Sequence, residues 1–152
     1  MVRIYGITST SGGSGGSGGS GDSTFSLSGV TSGNSSVYLT SNGSSSENSQ
    51  NIFIVSSNTA VECDISIVAT TDTTPKYSAS WAMKALLHRQ FAESTTKLIG
   101  IGMAEAMSDS ELKFLTVSIS ENIVLGGLSI QCTGVSQYTS IKWIATITAT
   151  EV

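Results

Sequence analysis

Cations are missing from the whole stretch between Ile4 and Pro75, and charged residues make up only 12% of the 152-residue chain. Phosphate backbones are held by clusters of lysine and arginine, so nucleic acid is disfavoured as a partner. The net charge of −4 is spread along the chain and forms no acidic tail. Histidine occurs once, at His88, and the two cysteines, Cys63 and Cys132, have 68 residues between them. With no CxxC spacing there is no zinc or redox pattern, and each cysteine is expected as a free thiol serving as a small buried hydrophobe. No metal and no cofactor is expected. No apolar run approaches the roughly 20 residues of a membrane span, and the opening Met-Val-Arg-Ile-Tyr-Gly has no signal-peptide core, so cytoplasmic synthesis without membrane insertion is the expectation.

What the chain does have is a series of apolar couplets in Ser/Gly/Asn/Thr-rich surroundings: Phe25-Ser-Leu27, Val37-Tyr-Leu39, Ile52-Phe-Ile54 and Ile65-Ser-Ile67. Their starts are 12, 15 and 13 residues apart. Each alternates as a strand with one buried face does, and turn formers such as Ser41-Asn42-Gly43 and Ser57-Asn58-Thr59 follow. A coil of about a dozen residues cannot bury its own couplet, so the pattern predicts stacked neighbours and further copies of the chain as cover. The eight couplet side chains are therefore expected in the core of an oligomer. Tyr38 and Phe53, in the middle of their couplets, should point the other way, either as an exposed aromatic stripe or, more simply, against a neighbouring chain.

Three regions follow. Residues 1–21 comprise a short strand, with Arg3, Ile4, Tyr5 and Ile7 as candidate docking residues, and a Ser-Gly-Gly tract over 11–21. The tract reads as a flexible or engineered linker, or as glycines suited to a narrow axis between three chains. Residues 22–74 form a repeat stem. Pro75, the one proline, closes it, because proline cannot continue a central strand. Residues 75–152 hold both tryptophans, three of the four methionines and six of the seven cations, enough for a core of their own. A piece beginning near Thr74 is thus expected to fold alone.

In that last region Tyr77, Ala79, Trp81, Met83, Ala85 and Leu87 share one strand face. Leu98-Ile-Gly-Ile101, Leu112-Lys-Phe, Val117-Ser-Ile119, Leu128-Ser-Ile-Gln-Cys132 and Ile141-Lys-Trp-Ile-Ala-Thr-Ile147 continue the alternation between short turns. The reading is an all-β fold, a short stacked β-roll-like stem followed by an antiparallel sandwich or meander. Its C-terminal core is expected to include Trp81, Met83, Leu98, Ile130, Trp143 and Ile147. His88 lacks a Gly-x-Ser-x-Gly partner and reads as a surface histidine. Glu105, Asp109 and Glu111 read as turn and loop charges and not as an acid/base pair. The chain is expected not to be an enzyme.

The order Trp81-Ala-Met-Lys-Ala-Leu-Leu-His-Arg-Gln, Thr95-Thr-Lys-Leu-Ile-Gly, Leu128-Ser-Ile-Gln-Cys-Thr-Gly134, Ile141-Lys-Trp-Ile-Ala145 and Thr150-Glu-Val152 resembles a C-terminal domain of tail fibres and related virion proteins of tailed bacteriophages. The upstream couplets, such as Ser36-Val-Tyr-Leu39 and Asn51-Ile-Phe-Ile54, are similar to the repeats of trimeric adhesin heads. Together the resemblances imply an intertwined homotrimer that belongs to a virion, made in the host cytoplasm. Its N-terminus would dock to other virion proteins, and its outer surface would meet a host glycan or protein. A trimeric tail-fibre or baseplate-associated attachment protein is the leading expectation. A capsid decoration or cement protein is the alternative, and a glycan-binding or glycan-degrading tailspike fragment ranks last.

Overall fold

The computed structural model describes residues 22–152. The fold is all-β with antiparallel pairing throughout. The strands are β1 (Ser23–Thr31), β2 (Ser36–Tyr38), β3 (Phe53–Ile54), β4 (Thr59–Thr71), β5 (Ser78–Arg89), β6 (Lys97–Ser108), β7 (Thr116–Asn122), β8 (Gly127–Thr133) and β9 (Ile141–Glu151). A five-stranded sheet has the order β1-β9-β4-β5-β6; the smaller sheet pairs β8 with β2 and β3 on one path and with β7 beside it.

The large sheet is built from the alternation that the sequence carries. Burial along β4 switches at nearly every residue, with Val61, Cys63, Ile65, Ile67 and Ala69 inward and Glu62, Asp64, Ser66 and Val68 outward. In-register rows then cross the sheet: Phe25 pairs with Ile147, Ile147 with Ile65, Ile65 with Met83, and Met83 with Met103. Opposed inward side chains in such rows are the unit of sheet stabilisation, and the smaller sheet closes over them. Phe25 meets Phe53 of the small sheet edge to face at 6.2 Å. Trp143, fully buried, stacks on the half-buried Trp81 at 5.6 Å and donates its indole N–H to Thr31 Oγ1 at 2.9 Å. That bond supplies the acceptor a buried indole needs.

The small sheet depends on close backbone approach. A Cβ on Gly127 would lie 2.1 Å from the carbonyl oxygen of Phe53, so only glycine lets β3 pair with β8 at this point.

The sheets cut across the division expected at Pro75. β9 lies between β1 and β4, so its neighbours both come from residues 22–74, and β4 pairs along its length with β5. Pro75, after a cis peptide bond, sits in the connection between these adjacent strands, where Thr71 and Tyr77 close the turn. Residues 22–74 therefore do not form a separate stack of coils. Six of the couplet residues, Phe25, Leu27, Val37, Leu39, Ile65 and Ile67, lie in the same buried cluster as Ile130, Trp143 and Ile147, and Ile52 and Ile54 are buried too. Cover for the couplets thus comes from the later strands of one chain; the sparse spacing misled because the partners are distant in sequence. Phe53, buried with its neighbours Ile52 and Ile54, does not join an exposed stripe, whereas Tyr38 remains partly exposed. Of the expected C-terminal core, Met83, Ile130, Trp143 and Ile147 are buried, and Trp81 and Leu98 pack against the cluster half-covered. Leu112-Lys-Phe is no strand: Ser110–Leu112 is a 3-10 turn that buries Leu112 and leaves Phe114 exposed. Arg3, Ile4, Tyr5 and Ile7, and the tract over 11–21, lie outside the described residues.

Candidate functional site

The residues weighed for chemistry are dispersed. His88 stands near the end of β5 opposite Ala60 of β4 and Lys97 of β6. Asp109 accepts the backbone N–H of Ser78 at 2.6 Å and so ties its loop to the start of β5, while Glu111 accepts the hydroxyl of its neighbour Ser110 at 2.8 Å within the 3-10 turn. Glu105 is not a loop charge; it lies within β6 opposite Ala82. Lys84 spans Glu62 and Asp64 at 3.1 and 2.9 Å on the exposed outer face, and those two carboxylates hold its ammonium above the usual lysine range. Exposed pairs of this kind add little stability. Among the described residues no group of three His, Cys, Asp or Glu side chains is placed to hold a metal ion, and no helix is long and apolar enough to cross a membrane.

Cys63 and Cys132 are buried free thiols. Burial pushes both up to about 12, with Asp64 and Glu62 adding to the effect at Cys63. A thiol held protonated in this way is neither a nucleophile nor a ready disulfide partner.

Two features escaped the sequence reading. The first is Glu47, in the loop between β2 and β3, whose Oε2 accepts from Asn122 at 3.0 Å and from Ser129 at 2.9 Å, while Oε1 is buried without a partner. Burial raises its carboxyl above the ordinary value, and the two hydrogen bonds offset part of that rise. The signal was a lone acid in a Ser/Asn-rich loop, but its partners are 75 and 82 residues away.

The second is β6, the strongest candidate for a surface with a role. It is an outer strand of the large sheet, and only Leu98 of its twelve residues is even half-buried. The row Ile147, Ile65, Met83, Met103 runs at 0%, 2%, 5% and then 58% exposure, so cover is lost between β5 and β6. Ile99, Ile101, Met103 and Met107 are all exposed. Extra residues in β6 near Ala82/Met83 and Leu86/Leu87 put bulges in its pairing with β5. The alternation after Gly100 continued to Met107 in the sequence and could have shown the strand's full length.

No protein-family model matches the chain, and no curated protein matches it. Among solved structures it is similar to the tailspike protein of Acinetobacter phage vB_ApiP_P1, at 9% identity and a TM-score of 0.41 over 100% of this chain. It is also similar to the tailspike protein of Acinetobacter baumannii phage AM24, at 12% identity and a TM-score of 0.37 over 81% of this chain. The chain spans 26% of the length of each.

Proposed function

We propose that the chain is a non-enzymatic structural part of a bacteriophage virion, a tail-fibre or baseplate-associated attachment component. The observation that carries this reading is the way the residues of the tail-fibre resemblance converge. Trp81, on the strand with the basic residues, stacks on Trp143 of the final Lys-Trp-Ile-Ala strand, and the Leu128–Gly134 stretch supplies Leu128, Ile130 and Cys132 to the same core. Those positions are far apart in sequence, and their meeting favours a shared domain plan over a chance match of apolar letters. The non-enzymatic part rests on the use of Asp109 as a tie to the start of β5 and of Glu111 in a local bond to its neighbour Ser110. Assembly from identical copies belongs to the proposal, but the homotrimer of the sequence reading no longer draws support from the couplets, which one chain covers by itself.

Gold-labelled antibody against the purified chain should decorate the tail or baseplate of virions from the source phage. Label spread over the shell would favour the cement alternative, and unlabelled virions would overturn the reading. Release of reducing sugar from host-surface polysaccharide, lost in Glu105→Gln, would overturn the non-enzymatic part.

A further inference from the structure

A sheet edge of this length is a liability. β6 presents twelve residues whose second edge pairs with no strand among the described residues, and unpaired N–H and C=O groups there are a template for another strand. Soluble proteins usually guard such an edge with proline, an inward-pointing charge, a bulge or a covering loop. β6 has no proline, its core-side Leu98, Ile101, Met103 and Ala106 are apolar, and its lysine stands at the very start of the strand, at Lys97; of the guards it has only bulges, at Ile99 and Ala104, which come opposite Met103 and Leu98 in the register below. The opposite edge of the same sheet is guarded. There Ser28 of β1 exchanges backbone hydrogen bonds with Thr40, at 2.8 and 3.1 Å.

The sequence of β6 is complementary to itself when run antiparallel about Ile101. Lys97 then faces Glu105, Leu98 faces Ala104, Ile99 faces Met103, Gly100 faces Gly102 and Ile101 faces its own copy. By two-fold symmetry the Lys97–Glu105 pair forms twice. The sidedness agrees: Lys97 and Glu105 lie opposite His88 and Ala82 on the outer face, while Ile101 lies opposite Ala85 on the core face. Facing residues in an antiparallel pair must share a side, so a slip by one residue, which sets Ile101 against Gly102, is ruled out. A slip by two leaves Glu105 facing Ile99 and Lys97 facing Met107. Neither Lys97 nor Glu105 has an ion-pair partner among the described residues, so both are available.

We propose that β6 binds β6 of a second copy of this chain, antiparallel and centred on Ile101, joining two five-stranded sheets into one. The contact pairs the open backbone edges, sets the exposed Ile101 and Met103 ledges of the two copies side by side, and neutralises two charges in each strand. It is isologous and stands apart from the virion reading: the antibody labelling reports location, and the measurements below report copy number and register.

Sedimentation equilibrium of the full chain at micromolar concentration should give twice the 15.7 kDa chain mass. Glu105→Lys and Lys97→Glu, each placing like charges opposite one another twice, should weaken the dimer roughly tenfold. Combining both changes should restore it. Ile101→Cys should give a disulfide-linked dimer under mild oxidation while Met107→Cys does not, since facing Cα atoms fall within disulfide reach and the native thiols are buried. A mass of one chain or of three, indifference to both charge reversals, or cross-linking equal at positions 101 and 107 would each overturn the proposal. Far-ultraviolet circular dichroism of every variant guards against reading an unfolded chain as a dissociated one.

Discussion

The two sheets are held together by different means. In the large sheet, strands of 9 to 13 residues pair in unbroken register from β1 through β9 and β4 to β5, with bulges only where β6 joins, and the inward rows are almost wholly aliphatic or aromatic. In the small sheet β2 has three residues and β3 has two, and the connection between them depends on polar side chains. Thr40 donates its hydroxyl to the carbonyl of Ser44, Asn51 donates to the carbonyl of Ser46 and accepts from the N–H of Asn48, and Glu47 reaches across to Asn122 and Ser129. One sheet is stabilised by area removed from water. In the other, the β2–β3 connection is held by local bonds that satisfy a backbone which has no ladder of its own, and each such bond nets only about 0.5–1.5 kcal/mol. The first should fail all at once, and the second in small steps.

The harshest test of that contrast is to cut the chain at the connection between β4 and β5. Residues 75–152 expressed alone lose both neighbours of β9 and the row partners of Trp143 and Ile147. The expected outcome is a chain without cooperative unfolding, read by circular dichroism and calorimetry, in place of the independent domain that Pro75 suggests. A sharp melting transition from that piece would show that the large sheet tolerates loss of β1 and β4.

A smaller break is made inside the intact chain. Trp143→Ala removes the largest fully buried side chain and leaves Thr31 Oγ1, itself buried, without its donor. The expected cost is roughly 3–5 kcal/mol in chemical denaturation. Trp81→Ala removes the other half of the stack but vacates a half-exposed site, so it should cost distinctly less. Equal losses would mean that the stacking contact, and not burial, carries the energy.

How much of this was legible follows the same line between the sheets. The alternation in Ile65-Ser-Ile67, in Tyr77 to Leu87 and in Ile141 to Ile147 marks strands of the large sheet, because period-two patterning is what a half-buried strand requires. Residues 40–51 carry no such pattern. Their order comes from Asx-type bonds and from a glutamate with remote partners, neither of which leaves a periodic trace. Pairing was the second loss. Alternation identifies a strand and its inward side, but Phe25 meets Ile147 across 121 intervening residues; without that knowledge the couplets looked short of cover and implied extra copies. The candidate surface fared likewise. Leu98 to Ile101 read as a strand, yet nothing in its letters distinguishes an inward face that is covered from one that is open, as Ile101 and Met103 are.

The mildest perturbation isolates the polar sheet. Glu47 is held with a raised carboxyl value by burial, so above the ordinary 4.5 the folded chain still keeps a proton that the unfolded chain has released. Folding is then favoured by acid: the contribution is present below the ordinary value and is lost as pH rises through the higher, folded value. Glu47→Gln keeps an oxygen able to accept from Asn122 and Ser129 and has no proton to lose. Between pH 4.5 and neutrality the wild-type melting temperature should therefore fall relative to that of Glu47→Gln, by a margin much smaller than the effect of Trp143→Ala. Parallel pH profiles for the two proteins would mean that the unpartnered Oε1 reaches water and that the loop over β7 and β8 is looser than its hydrogen bonds imply. A gap that opens as pH rises would assign the loss of stability over this range to this one side chain, and so to the loop that polar bonds hold.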